Sequence, residues 1–240
     1  MIESEADIER GLAALSLLDE RLIPVIAAAG LVPLRRSEPG LPGLVGTILA
    51  QQVSTASARA IFGRLERLVD LNDARALAAA SDATLREAGL SRPKQRTLRA
   101  IAAAIVEGRL DFDRLERMNA DEAIAQMVAI HGIGPWTAEC HLLFALGHED
   151  VFPAGDLALQ IAAAEALALP ERLSEKALRR IADGWMPHRA VAARLLWAYY
   201  HALTSRTAEP VAPLPAGGKP GRDDDAASHK ASQRRHDERR

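Results

Sequence analysis

Cysteine occurs once, as Cys140, in a chain of 240 residues. That scarcity excludes an internal disulfide, and with it the iron-sulfur clusters and cysteine-built zinc sites that need several thiolates. It fits a reducing compartment. The seven histidines form no HxxxH pair or other ligand cluster, which argues against a catalytic metal. Aromatic residues make up only 4% and runs of β-branched residues are scarce, so the composition that strands favour is missing. No apolar run approaches the eighteen or so residues that span a bilayer. The amino terminus, MIESEADIERGLAALSLLDE, carries acids where a signal peptide would be basic, so the expectation is a cytoplasmic protein. No repeat of twenty to fifty residues marks a solenoid. A large charge imbalance is also lacking: 30 Lys and Arg stand against 32 Asp and Glu, for a formal net charge of −2. Affinity for a polyanion would therefore depend on a local basic patch.

Alanine and leucine dominate instead, and 48% of the residues are hydrophobic, enough for a sizeable core built from helices. The helical period recurs over about residues 6–16, 19–29, 43–52, 54–69, 73–79, 82–88, 94–107, 111–117, 120–130, 135–146, 156–168, 174–184 and 189–204. Asp19, Ser54, Ser81 and Ser174 stand where N-caps belong, and Gly30 and Gly89 where helices stop in a left-handed residue. The expectation is an all-α protein over residues 1–209. From Pro210 to Arg240 the chain turns to proline, glycine and charge, the composition of a disordered tail.

One stretch interrupts the helical pattern. In HGIGPWTAEC, residues 131–140, the chain must reverse in about four residues between the helix ADEAIAQMVAI and a helix beginning at Pro135. Gly132 and Gly134 permit the turn, since glycine reaches positive φ and lets another backbone approach, and Pro135 suits a first helical turn. Amides exposed at such a helix start favour a phosphate, here one of a nucleic-acid backbone, although an ordinary αα-turn would use the same glycines. Twenty-two residues after Gly134, in VFPAGD, Asp156 opens another apolar helix. By position it is an N-cap; a carboxylate at a helix start beside a groove is equally a candidate for chemistry.

These residues resemble the helix-hairpin-helix superfamily of DNA glycosylases, whose signature is a Gly-hydrophobic-Gly hairpin followed at this spacing by a Gly/Pro-rich loop and a catalytic aspartate. Further matches are ILAQQVSTASARAIFGRL at 48–65, AGLSRPKQRTLRAIA at 88–102 and WMPHRAVAARLLWAYY at 185–200. The likeness is to the alkylbase branch, the 3-methyladenine DNA glycosylase II type, in its shorter form without an N-terminal β domain. It implies two helical lobes flanking a cleft, with the helix-hairpin-helix at about 120–146, HGIG on one wall and Asp156 opening towards it. It also implies a monomer that acts on double-stranded DNA containing damaged bases, nucleoid-associated if bacterial.

The implied reaction is hydrolysis of the N-glycosidic bond of alkylated purines in base excision repair, after the nucleotide is flipped out of the duplex. Asp156 would stabilise the oxocarbenium-like sugar and orient or deprotonate water, while Trp136 and Trp197 would line the base pocket, stacking on a cationic purine. Trp185 is assigned to packing. In lyase-competent relatives a lysine stands where this chain has Trp136, so the implied activity is monofunctional. DNA contacts would come from Gly132, Gly134, Gln52, Arg92 and Lys94, within a basic run that includes Arg96 and Arg99. Leu90 or Arg92 would be the wedge filling the gap left by the flipped base. Gln51 and Gln52 either reach the DNA opposite the lesion or tie helices together. Glu139 is expected to be a solvated or capping-region charge. No cofactor is implied beyond a monovalent cation at the hairpin.

His131 replaces the usual proline before the hairpin, and Cys140 stands where a tyrosine can line the pocket; both bear on substrate range. The alternatives are a glycosylase of the same fold for another damaged base, a non-catalytic helix-hairpin-helix DNA-binding protein, and a helical metabolic enzyme in which GIG is a turn.

Overall fold

Thirteen α-helices and no strand form among the described residues of the computed structural model, which are residues 1–207; the expected tail at 210–240 lies outside them. The helices are α1 (Glu5–Leu18), α2 (Ile23–Ala29), α3 (Gly40–Ala50), α4 (Thr55–Leu68), α5 (Ala74–Ala79), α6 (Asp82–Glu87) and α7 (Arg92–Val106). They continue with α8 (Phe112–Arg117), α9 (Ala120–Val128), α10 (Pro135–His141), α11 (Leu157–Ala166), α12 (Glu175–Ala182) and α13 (Arg189–Thr207). The caps expected from sequence form. Asp19 accepts from the Arg21 amide, Ser54 from Ser57, Ser81 from Thr84 and Ser174 from Ala177, while Gly30 and Gly89 take positive φ. The period expected over 19–29 divides into a 3₁₀ turn, Glu20–Leu22, followed by α2.

Two separate hydrophobic cores organise the chain. The first is local in sequence: it runs from Leu41 to Val151 and buries Leu44, Ile48, Leu65, Leu98, Ile101 and Met127 between α3 and α10. Positions 98, 101 and 102 of α7 share one face by helical spacing, and each buried leucine of this kind contributes about 2 kcal/mol. The second core joins the two ends of the described chain. Ile8, Leu15 and Val25 from α1 and α2 meet Phe152, Leu159, Leu178, Trp185, Leu195 and Leu196 from the segment after Val151. Helix α13 is its axis: Ala190, Val191, Ala192, Ala193, Leu195 and Leu196 are all buried, so apolar residues encircle its first half.

The crossing from one core to the other falls at α10 and just beyond it. After His141 the backbone widens into a π-helical turn, Leu142–Leu146. Leu142 and Leu146 point into the first core and Leu143 into the second. Two carbonyls of this turn are taken by arginines, Leu143 by Arg194 (2.9 Å) and Ala145 by Arg36 (2.8 Å). Arg194 also donates to the Leu34 and Arg35 carbonyls, fixing the connection to α3. Val151 is the last residue of the first core and Phe152 returns the chain to the second, so Asp156, four residues past Phe152, caps the start of α11.

Candidate active site

The hairpin's two glycines have different reasons to be there. Gly132 has φ +86°, and a Cβ at this position would sit 1.9 Å from Thr97 Oγ1 on α7, so both conformation and packing require glycine. Gly134 has φ −91°, which any residue adopts, and a Cβ there would meet nothing within 4 Å. The expectation that both glycines serve the turn is therefore corrected: only Gly132 does. Within the turn the Ile133 amide donates to the Ile130 carbonyl (3.1 Å), whereas the Gly132 and Gly134 amides find no acceptor among the described residues.

Helix α10 turns one face to the first core and the other towards α11, α12 and α13. Ala138 is buried in the first core, and Thr137 accepts from Gln51 Nε2 (2.9 Å), tying α10 to the end of α3. Trp136, Glu139 and Cys140, at i, i+3 and i+4, share the opposite face. Trp136 is 39% exposed, and its indole N–H donates to Asp156 Oδ2 at 2.9 Å. Trp197 on α13 donates to the other oxygen, Oδ1, at 3.2 Å, and the Leu159 amide donates to Oδ1 at 3.1 Å. Asp156 thus caps α11 and receives both indoles. Trp197 is backed on one face by Phe144 (ring centroids 5.4 Å, 28° between planes), and the Arg194 guanidinium lies 5.0 Å from the centre of the Phe144 ring. Burial together with the charges of Asp156 and Glu139 pushes the Cys140 thiol well above its usual pKa, which leaves it a small neutral group beside the carboxylate.

Trp136, Trp197 and Asp156, singled out far apart in the sequence, are brought into contact, and Trp185 is buried in the second core with its N–H on Asp19 (3.0 Å). Other expectations need correction. Leu90 is 4% exposed and packs in the first core, so it cannot enter a duplex as a wedge. Lys94 has a structural duty that the sequence did not indicate: two of its three ammonium N–H groups donate to the Leu49 and Gln51 carbonyls (2.7 and 2.8 Å), closing the C-terminus of α3, and burial lowers its pKa. Glu139 is neither solvated nor a cap. It is 2% exposed and paired with Arg179 of α12 at 3.1 Å, and burial raises its pKa to about 7 against the opposing pull of Arg179. Arg92 is exposed at the start of α7, beside Arg86, Arg96 and Arg99.

In the loop after α3, sequence reasoning named Gln52 as a DNA contact but missed its strained backbone and the exposed Val53 beside it. Gln52 is exposed and held at φ +57°, a strained region for a side-chain-bearing residue, and Val53 beside it is 40% exposed. Through Gln51 and Thr137 this loop adjoins the hairpin helix. The signal was present in QQVS as a polar pair running into an apolar residue before a capping serine. A cavity of about 580 Å³ lined by Arg36, Leu41, Phe112 and Glu116 lies at the other end of α3, about 16 Å along the helix, and includes none of Trp136, Asp156 or Trp197.

Comparisons with known proteins bear on this geometry. The model of the HhH-GPD superfamily base excision DNA repair protein matches residues 45–188. The "Probable bifunctional transcriptional activator/DNA repair enzyme AlkA" of Mycobacterium tuberculosis is 32% identical over 207 residues, 82% of this chain; the chain spans 40% of that protein's length. The solved DNA-3-methyladenine glycosidase of Bacillus halodurans superposes with a TM-score of 0.75 at 36% identity, covering 81% of this chain and 91% of that one. The Schizosaccharomyces pombe 3-methyladenine DNA glycosylase Mag1, solved in complex with abasic DNA, gives a TM-score of 0.69 at 27% identity, covering 78% and 95%.

Proposed function

We propose, from the premise that the chain belongs to the HhH-GPD superfamily of base excision DNA repair proteins, that it is a monofunctional DNA glycosylase hydrolysing the N-glycosidic bond of alkylated purines in duplex DNA. The observation that carries the proposal is the convergence of two indole N–H groups on the single carboxylate of Asp156, beside a hairpin with unused amides.

The chemistry follows from the parts. A base inside a duplex is unreachable, so the nucleotide must leave the stack. The open space before Gly134, with its amide and that of Gly132, suits a backbone phosphate that fixes the strand without reading sequence. Arg92, exposed at the start of α7, adds positive charge to the face it shares with Arg86 and Arg96 and remains a wedge candidate, as are Gln52 and Val53, whereas Leu90 is buried. A purine alkylated at N3 or N7 carries positive charge and leaves without strong protonation. Trp136, 39% exposed, and the half-buried Trp197 attract such a cation through their π systems. As the glycosidic bond breaks, positive charge moves to the sugar, where the carboxylate of Asp156, already oriented by both indoles and the Leu159 amide, stabilises it and guides water to C1′. Schiff-base chemistry needs an amine, and position 136 carries an indole.

The test is incubation with duplexes containing 3-methyladenine, 7-methylguanine, ethenoadenine or uracil, with the released base identified. Release of methylated purines, leaving an intact strand and no borohydride-trapped adduct, is expected. Release of uracil alone would assign another lesion, a trapped adduct would contradict the monofunctional reading, and no release with DNA binding retained would make the protein a binding module.

A further inference from the structure

Glu139 takes no direct part in the site as described, yet it sits on the face of α10 that carries Trp136, one turn further on. Its carboxylate is buried, and Oε1 lies 3.1 Å from Arg179 Nη2 on α12. The same nitrogen reaches Glu175 Oε1 at 3.2 Å, at the start of α12. The Glu175 carboxylate in turn lies against Gly155, where a methyl group would come to 3.5 Å, and Gly155 directly precedes Asp156. A bracket therefore runs from the hairpin helix through Arg179 and Glu175 to the backbone that presents Asp156. It parallels the direct bond from Trp136 to Asp156, and both cross from the first core to the second.

We infer that Glu139 and Arg179 are positioning residues, which set the distance between the indole of Trp136 and the carboxylate of Asp156 by clamping α10 to α12. The inference rests on the proposed role of Asp156. A buried acid costs desolvation energy, and a single arginine facing it from α12 makes the arrangement directional. The groups facing Glu139 are Arg179 and Glu175 of α12, Arg189 of α13 and Cys140 of its own helix. Arg189 is already held by Asp150 at 2.7 Å, so the partner that moves with Glu139 is Arg179. Losing the clamp leaves Trp136 and Asp156 intact and alters their separation, the kind of change that costs rate more than binding.

The experiment compares Glu139→Gln, Arg179→Met and the double variant with Arg180→Gln, an exposed neighbour on α12, and with Asp156→Asn, all in the full chain. Thermal unfolding first establishes that each is folded; a Glu139→Asp variant serves if Glu139→Gln is not. Single-turnover excision should then fall about tenfold or more in each clamp variant, with affinity for lesion duplex changed less than about twofold and Arg180→Gln as wild type. The double variant should be no slower than the slower single, because one bracket can be broken only once. Wild-type rates in folded Glu139→Gln, or multiplying losses in the double variant, would overturn the clamp. If Asp156→Asn also excises normally, the failure belongs to the proposed function; if it is inactive while Glu139→Gln is unimpaired, only the clamp fails.

Discussion

At Asp156 three donors share two oxygens, and the Leu159 amide and the Trp197 indole meet on the same one. One side chain thus caps α11 and receives both indoles without conflict. His141, on the same helix as Trp136, is the contrasting residue: it is buried with both ring nitrogens unpartnered, its ring 5.5 Å from that of Phe112. Burial lowers its pKa to about 4. Above pH 6.5 the imidazole is neutral in both folded and unfolded chains and costs nothing further. As pH falls from 6.5 towards 4, the unfolded chain alone binds the proton, so stability is lost over that window. The loss attributable to this group between pH 7 and pH 4.5 is about 2 kcal/mol. Urea unfolding of His141→Leu should show a correspondingly shallower acid decline, with stability at pH 7 little changed because an unpaired polar group has been replaced by an apolar one. Parallel declines in the two proteins would show that His141 does not titrate in this way.

Among the elements, the hairpin separates structural from binding demands most cleanly. Gly132→Ala should destabilise the fold by about 1–3 kcal/mol, since φ +86° is strained for alanine and its methyl would strike Thr97. Gly134→Ala should leave thermal stability within about 0.5 kcal/mol and, on the proposed function, weaken DNA binding, because its methyl would enter the open space proposed for a phosphate. Equal stability losses would contradict this division. The hairpin and the caps at Ser54, Ser81 and Ser174 were legible in the sequence because their chemistry is local: a serine bonds an amide three residues on, and a turn of four residues has few solutions. Glu139, Leu90 and Lys94 were not. The surroundings of each are set by α12, the first core and the end of α3 respectively, and no pattern around positions 139, 90 or 94 records those partners. Asp156 with its two indoles was legible only through the resemblance, since the spacing of 136, 156 and 197 states no contact by itself.

For the whole molecule, the site exists because the chain builds two cores and crosses between them twice, before α3 and again after α10, the second crossing bringing Trp136 and Asp156 together. The first core presents the hairpin and Trp136; the second, closed by both ends of the described chain, presents Asp156 and Trp197. Any motion of one core against the other changes the geometry at the carboxylate. Among the described residues no helix is long and apolar enough to cross a membrane. Arg86, Arg92 and Arg96 gather with Asp82 and Arg99 around one surface pocket, the densest local group of basic side chains on α6 and α7.

The central claim, that Asp156 is the carboxylate of a base-excision reaction and more than a helix cap, is tested by Asp156→Asn. Asparagine keeps an oxygen to accept from the Leu159 amide, so folding should survive at a cost of about 1 kcal/mol. Its amide nitrogen cannot accept the indole N–H, so one tryptophan loses its partner, and the charge facing the sugar is gone. The measurement is single-turnover release of methylated purine from a lesion duplex, at protein concentrations that saturate binding. The account predicts a folded, DNA-binding variant whose excision rate is lower by roughly 100-fold or more. A folded variant that binds the same duplex and excises at nearly the wild-type rate would reduce Asp156 to a cap and contradict the account.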